Sequence, residues 1–191
     1  MHALEGVRLI DFGQYLAGPF GPMVIGDLGA DVIKVEPVTG DAMRFAGEPF
    51  CGCQRGKRDI ALDLKSERGR EIALELVARA DIVHHNMTAG VAVRLGIGYE
   101  DCKRVNDDIV YCNTWAYGLE GPLARFGGLD PLYQASSGLE HESGAVLRIG
   151  GTCCRDDLLV DAHRPRKSCM AVFETGGQFG RTADVAARRI A

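Results

Sequence analysis

Within this 191-residue chain, Ala17-Gly18-Pro19 is the stretch best suited to hold a charged ligand. Gly18 lets the backbone bend or approach a ligand closely, and Pro19 suits the first turn of a helix. A helix that starts there leaves its first amides free to meet an anion. The Gly-x-Gly-x-x-Gly fingerprint of dinucleotide sites does not follow the preceding apolar run Val7-Arg8-Leu9-Ile10. Metal chemistry fits the cysteines and histidines poorly. Cys51-Gly52-Cys53 and Cys153-Cys154 are spaced too closely for paired zinc ligands. His84-His85 are neighbours on a predicted strand, so their side chains leave on opposite faces. No metal is expected.

The elements that must position the turn form a repeating series. Val7, Leu9 and Ile10 read as a strand buried on both faces of a parallel sheet. A helix follows from Gly18, Gly29 ends it, and Val32-Ile33-Lys34-Val35 returns as a second strand. Ile60, Leu62 and Leu64 alternate with Asp59, Ala61, Asp63 and Lys65, which predicts a third, half-buried strand. Ser66 caps the next helix, with Glu67 in its first turn and an apolar stripe of Ile72, Ala73, Leu76, Val77 and Ala80. Asp81-Ile82-Val83 is a strand, 86–90 a loop, 99–106 a helix and 109–112 a further strand. Strand and helix in alternation call for an α/β fold, a Rossmann-like parallel sheet with flanking helices, whose ligand lies beyond the strand ends. From Gly118 the texture turns loop-like, with a short helix over 131–138, and beyond Gly151 the apolar periodicity fades. Residues 1–150 are therefore expected to form the ligand-binding domain, and 151–191 an irregular tail.

Composition narrows the partners. A net charge of −4 gives no reason to expect nucleic acid, and no apolar run approaches the length of a membrane span. Seven cysteines, an odd count without a secretion signal, fit reduced thiols in a cytoplasm.

Several short motifs occur in a fixed order: the N-terminal strand-helix-strand, Lys57-Arg58 with Leu62-Asp63-Leu64-Lys65, and Ala80-Asp81-Ile82-Val83 leading to Asn86. Arg94-Leu95-Gly96, Asn106 and Tyr117-Gly118-Leu119-Glu120-Gly121-Pro122 complete the series. Together they resemble the class III CoA-transferase family, which includes formyl-CoA transferase, carnitine CoA-transferase and α-methylacyl-CoA racemase. The resemblance runs from about Leu4 to about Gly151. It implies coenzyme A or an acyl-CoA as substrate, a small carboxylic acid as the other reactant, and transfer of CoA between them. By the same resemblance, Leu16 and Ala17 would lie along the CoA and Leu62 to Lys65 would flank its adenine side. Asn86, Met87 and Thr88 would line the pantetheine path, Arg94 would reach phosphate, and Trp115 to Gly118 would complete the channel.

Departures from the family pattern sharpen these expectations. Pro37 stands where some members carry an Arg that can meet the CoA, and Trp115 where formyl-CoA transferase has Lys. A racemase would show His before Asp130, where this chain has Leu129, so two-base racemisation is disfavoured. The family's nucleophile is an Asp that forms mixed anhydrides with the acyl groups. The Gly-Asp-Gly-Pro-Pro-like stretch expected near Gly144 is replaced by Ser143-Gly144-Ala145-Val146, and Glu140 and Glu142 are too long for the same attack. Of the later pair Asp156 and Asp157, Asp157 is the nominated catalytic residue. Family chains are also longer by a second half, which supplies a small domain and a glycine-rich loop and interlocks two subunits. A truncated or frame-altered product would read like this chain, as would a short homologue with a new tail. The resemblance leaves two readings: a CoA-transferase, or an inactive CoA-binding remnant or partner subunit completed by a second chain. Either implies a homo-oligomer or a partner chain to cover the sheet faces.

Overall fold

The computed structural model describes residues 2–118 and 120–137. The chain divides into two compact units, one holding residues 2–115 and the other 116–137 of the described part. The expectations for Asp157, Glu140, Glu142 and the tail fall outside the described residues.

The first unit is a five-stranded, wholly parallel sheet in the order β3-β2-β1-β4-β5. Its strands are β1 (Arg8–Asp11), β2 (Asp31–Glu36), β3 (Arg58–Ala61), β4 (Ile82–His85) and β5 (Val110–Asn113). The connecting helices are α1 (Ala17–Asp27), α2 (Glu48–Gln54), α3 (Glu67–Val77), α4 (Val91–Arg94) and α5 (Tyr99–Val105), with a 3₁₀ helix over Ala42–Ala46. This strand order places a topological switch point between β1 and β4. The second unit contributes α6 (Asp130–Ser137) to the described residues.

Strand alternation sorts the sheet into two faces. Ile10, Phe12, Ile33, Val35 and Val83 join Ala73 and Val77 of α3 and Cys102 of α5 in the larger core. Leu9 and Val32, with Ile25 of α1 and Ile82 beside them, form a smaller core on the other face. Towards the strand ends this second face changes chemistry. The next residues in the same alternation are Asp11, Lys34, Glu36 and His84, and all four are buried. The register sets Asp11 opposite both Lys34 and His84.

The predicted third strand is shorter than its alternation suggests. β3 is an edge strand paired only with β2, and the pairing ends where Glu36 meets Ala61. Leu62 is buried, its amide donating to the Glu36 carbonyl at 2.9 Å, and Asp63 to Ser66 form the entry to α3. The stretch 42–54, read from sequence without an element, forms the 3₁₀ helix and α2. Asp41 caps the former by accepting from the Met43 amide, a local signal of the usual kind.

Candidate functional site

A cavity of about 290 Å³ opens at the carboxyl ends of β1, β2 and β3. Phe12 and Gln14 after β1, Val35 to Thr39 around the end of β2, Leu62 to Lys65 after β3, and Met87 and Leu95 after β4 form its walls. The lining is largely apolar, with Glu36, Asp63 and Lys65 as its charged groups, a combination suited to a ligand with flat apolar and anionic parts.

Glu36 is not free to act as a ribose clamp. A carboxylate at the end of the second strand serves that purpose in dinucleotide sites. Here Glu36 Oε2 accepts from Arg44 Nε at 2.9 Å and from the Asp41 amide at 2.7 Å, while Oε1 meets the same guanidinium. Burial alone would raise the Glu36 carboxyl, but its hydrogen bonds, that from Arg44 foremost, bring it down to about 2. The turn after β3 is built from its own residues. Asp63 Oδ1 accepts from the Lys65 amide at 3.0 Å, and the Asp63 carbonyl accepts from Ser66 Oγ at 2.7 Å.

Behind the cavity wall lies a buried cluster of charges. Asp11 Oδ2 accepts from Lys57 Nζ at 2.8 Å, and Lys57 Nζ also donates to the Pro19 carbonyl in the first turn of α1. Asp11 Oδ1 lies 3.3 Å from His84 Nδ1, and His84 Nε2 lies 3.1 Å from Thr114 Oγ1. Burial raises the Asp11 carboxyl, yet the His84 hydrogen bond and the Lys57 charge outweigh it and hold it below its ordinary value. For Lys57 the balance runs the other way: burial lowers its ammonium more than Asp11 raises it. The 2.8 Å contact between side chains only 1% and 0% exposed favours the charged pair, with the burial cost borne at the lysine. With Asp11 ionised, His84 Nδ1–H donates to it, and Nε2 shares a hydrogen bond with the Thr114 hydroxyl. A second buried pair, Lys34 Nζ with Asp41 Oδ2 at 2.9 Å, lies on the same face. His85, on the opposite face, accepts from the Met87 amide and packs edge-on against Tyr111. Burial, helped by neighbouring His84, lowers its imidazole to about 4.

The start of α1 is chemically open. Leu16 at its N-cap offers no side-chain acceptor, and no acid occupies its first turn. α3 differs: Ser66 Oγ accepts from the Gly69 amide at 3.0 Å, and Glu67 follows.

The residues nominated from sequence do not all meet at one place. Leu62, Lys65 and Met87 meet in the cavity wall. Leu16, Ala17 and Asn86 gather at the start of α1, where the Asn86 carboxamide is bonded to the Gln14 backbone. Trp115 Nε1 donates to the Met87 carbonyl at 3.1 Å, which fixes that wall residue. Thr88 and Arg94 are solvent-exposed; Arg94 ends α4 without lining the cavity, whereas its neighbour Leu95 does. Gly118, at φ +78°, belongs to the second unit. Sequence reading missed Phe12, Gln14 and Val35 to Thr39 as cavity walls, although each sits at a strand's carboxyl end, where parallel sheets place ligands. It also missed the Asp11–Lys57–His84 cluster, whose one local signal is a charged residue inside or ending an apolar strand. Among the described residues no group of three or more His, Cys, Asp or Glu is placed to hold a metal ion. The cysteines there, Cys51, Cys53, Cys102 and Cys112, are thiols and not disulfide partners. None of the described helices is long and apolar enough to cross a membrane.

Fold and cavity together define a Rossmann-like parallel α/β protein with a ligand site at its strand ends. The sequence profile of CoA-transferase family III matches residues 4–149, and the chain belongs to that family. It is 42% identical over 153 residues to succinyl-CoA:glutarate CoA-transferase of Mus musculus, covering 75% of this chain and 35% of that protein. It is 39% identical over 165 residues to acetyl-CoA:oxalate CoA-transferase of Acetobacter aceti, covering 80% of this chain and 42% of that one. Among solved structures, Rv3272 from M. tuberculosis superposes with a TM-score of 0.69 at 35% identity, covering 73% of this chain and 40% of that chain. The chain thus spans about two fifths of the length of these relatives.

Proposed function

We propose that this chain binds coenzyme A in the cavity at the ends of β1, β2 and β3, as part of an enzyme that moves CoA between an acyl-CoA and a small carboxylic acid. The observation that carries the reading is the cavity itself. Its wall joins the turn after β3, with Lys65, to the open start of α1 through Gln14, in a chain whose matched residues span both. CoA needs cations for its 3′-phosphate and free amides for its pyrophosphate. Lys65 and Arg94 are the nominated cations, and Leu16 and Ala17 the residues nominated to lie along the CoA. Met87, Thr88 and Trp115 are the nominated pantetheine side, and Asn86 holds the Gln14 backbone. The names of the relatives agree on a carboxylic acid as CoA acceptor, which supports that substrate class here. Asp157 remains the nominated nucleophile.

The second reading is a CoA-binding chain whose chemistry is completed by another polypeptide. One observation favours it: among the described residues, the carboxylates in the cavity wall are Glu36, held by Arg44, and Asp63, bonded into its own turn. Val24 of α1 and its C-cap Leu28, four residues apart, are 40% and 46% exposed, which supports a second copy or partner chain against that face.

Calorimetry with CoA and NAD tests the binding. CoA should bind and NAD should not; NAD binding without a CoA response ends the reading. A transfer assay with succinyl-CoA or acetyl-CoA and a panel of small acids then separates the two readings, since only the first predicts turnover by this chain alone.

A further inference from the structure

The loop between β1 and α1 is held by side chains remote from it. Gly13 N–H donates to Asp11 Oδ1 at 2.8 Å, and the Gly13 carbonyl accepts from Lys34 Nζ at 2.7 Å. Gln14 N–H donates to Asn86 Oδ1 at 2.8 Å, and Asn86 Nδ2 donates back to the Gln14 carbonyl at 2.9 Å. Tyr15 N–H donates to Asp41 Oδ1 at 3.3 Å, and Asp41 is itself paired with Lys34. Each of three consecutive residues is therefore gripped by a side chain from another part of the fold, apart from Asp11, which ends the preceding strand.

The grip has something to hold. Tyr15 lies at φ +61°, the one non-glycine residue with positive φ among those described. A tyrosine keeps that strained, left-handed conformation only where its surroundings impose it. The fit around Asn86 is also close. A Cβ on Gly18 would fall 2.6 Å from the Asn86 carboxamide, and one on Gly13 2.7 Å from Asp11 Oδ1. The first turn of α1 thus packs directly on Asn86, and only glycine fits at that approach.

We propose that Asn86, with Asp41 and Lys34, is a positioning group that fixes residues 13–15 before any ligand arrives, and so sets the cavity wall made by Phe12 and Gln14. This rests on the CoA reading for the identity of the ligand, though not for the clamp. Both polar ends of Asn86 are spent on the peptide groups of Gln14, so its influence on a ligand passes through Gln14 and not by direct contact.

The test pairs two measurements on the purified chain: amide hydrogen exchange at Gln14 and Tyr15, and CoA affinity by calorimetry. Asn86→Ala should speed exchange at both amides by about ten-fold, leave α3 unchanged, and weaken CoA by about ten-fold, the effect of losing a preorganised wall. Lys65→Ala should weaken CoA with loop exchange unaltered. Weaker CoA binding without faster exchange in Asn86→Ala would make Asn86 a direct ligand contact and overturn the proposal. Faster exchange with unchanged affinity would overturn it as well. If the parent chain binds no CoA, the ligand reading falls, and so does the clamp's part in CoA binding. Exchange in Asn86→Ala still judges the clamp itself, which fails if Gln14 and Tyr15 stay protected. Should Asn86→Ala fold poorly, the near-isosteric Asn86→Asp keeps the acceptor for Gln14 N–H, sets a carboxylate oxygen against the Gln14 carbonyl, and is read in the same two ways.

Discussion

α1 and α3 both follow a parallel strand and both run Ala17–Asp27 or Glu67–Val77 for eleven residues, yet their starts are finished in opposite ways. α3 closes itself: Ser66 takes the Gly69 amide and Glu67 faces the positive end of the helix dipole. α1 has neither device, and the turn that leads into it is held by Asn86, Lys34, Asp41 and Lys57 from elsewhere in the fold. A helix start satisfied by its own neighbours is a structural joint. One left open and braced from a distance keeps its donors available and its geometry fixed, which is the condition for binding an anion.

The most disruptive way to probe the braced start is to remove Lys57. Lys57→Met strands the Asp11 carboxylate in the interior and releases the Pro19 carbonyl, and should lower stability by about 3–5 kcal/mol. Urea unfolding measures this, and a loss well under that range would mean that α1 is not braced through Asp11. Acid should act next. His85 is lowered from its ordinary 6.5 to about 4, by burial first and then by His84. As pH falls from 6.5 to 4, the unfolded chain takes up a proton that the folded one refuses. Stability is therefore full above 6.5 and should decline by about 3 kcal/mol across that window. His85→Gln should flatten the profile there. Below the ordinary carboxylate value of 3.8, Asp11, held low in the fold, adds a further loss as it is protonated.

Local changes at the two helix starts sharpen the contrast. Ser66→Ala should cost about 1 kcal/mol and leave CoA affinity untouched, because that cap serves α3 alone. Leu16→Asp gives α1 the acceptor it lacks and should stabilise the helix by about 0.5 kcal/mol while weakening CoA through repulsion of its pyrophosphate. If affinity survives that substitution, the anion does not sit at α1. The smallest stability change is expected for Arg94→Ala, within about 0.5 kcal/mol because the side chain is solvent-exposed. It should weaken CoA more than dephospho-CoA; equal losses would place Arg94 away from the 3′-phosphate.

Much of the sheet was legible because its signals are local. The runs around Leu9, Val32, Ile82 and Ile109, the Gly29 turn and the Ser66 cap each declare themselves within a few residues, and strand, helix and parallel order follow from them. β3 was overread because alternation continues through Leu62 and Leu64 after its pairing partner has run out at Glu36. Cavity residues at strand ends, such as Gln14 and Thr39, carry no motif of their own; they become walls only when three strands stop side by side.

What the sequence alone determined, then, is the series of elements, the parallel α/β class, the family resemblance and the turn at Ala17-Gly18-Pro19. It also placed Lys34 on an apolar strand without saying what would receive its charge. Only the tertiary structure decided that Asp11 lies between Lys57 and His84, that Lys34 reaches Gly13 and Asp41, and that Asn86 grips Gln14. The physical reason is that periodicity within a strand fixes which face a side chain takes. The register between strands, set by packing of the whole sheet, fixes which charges meet there.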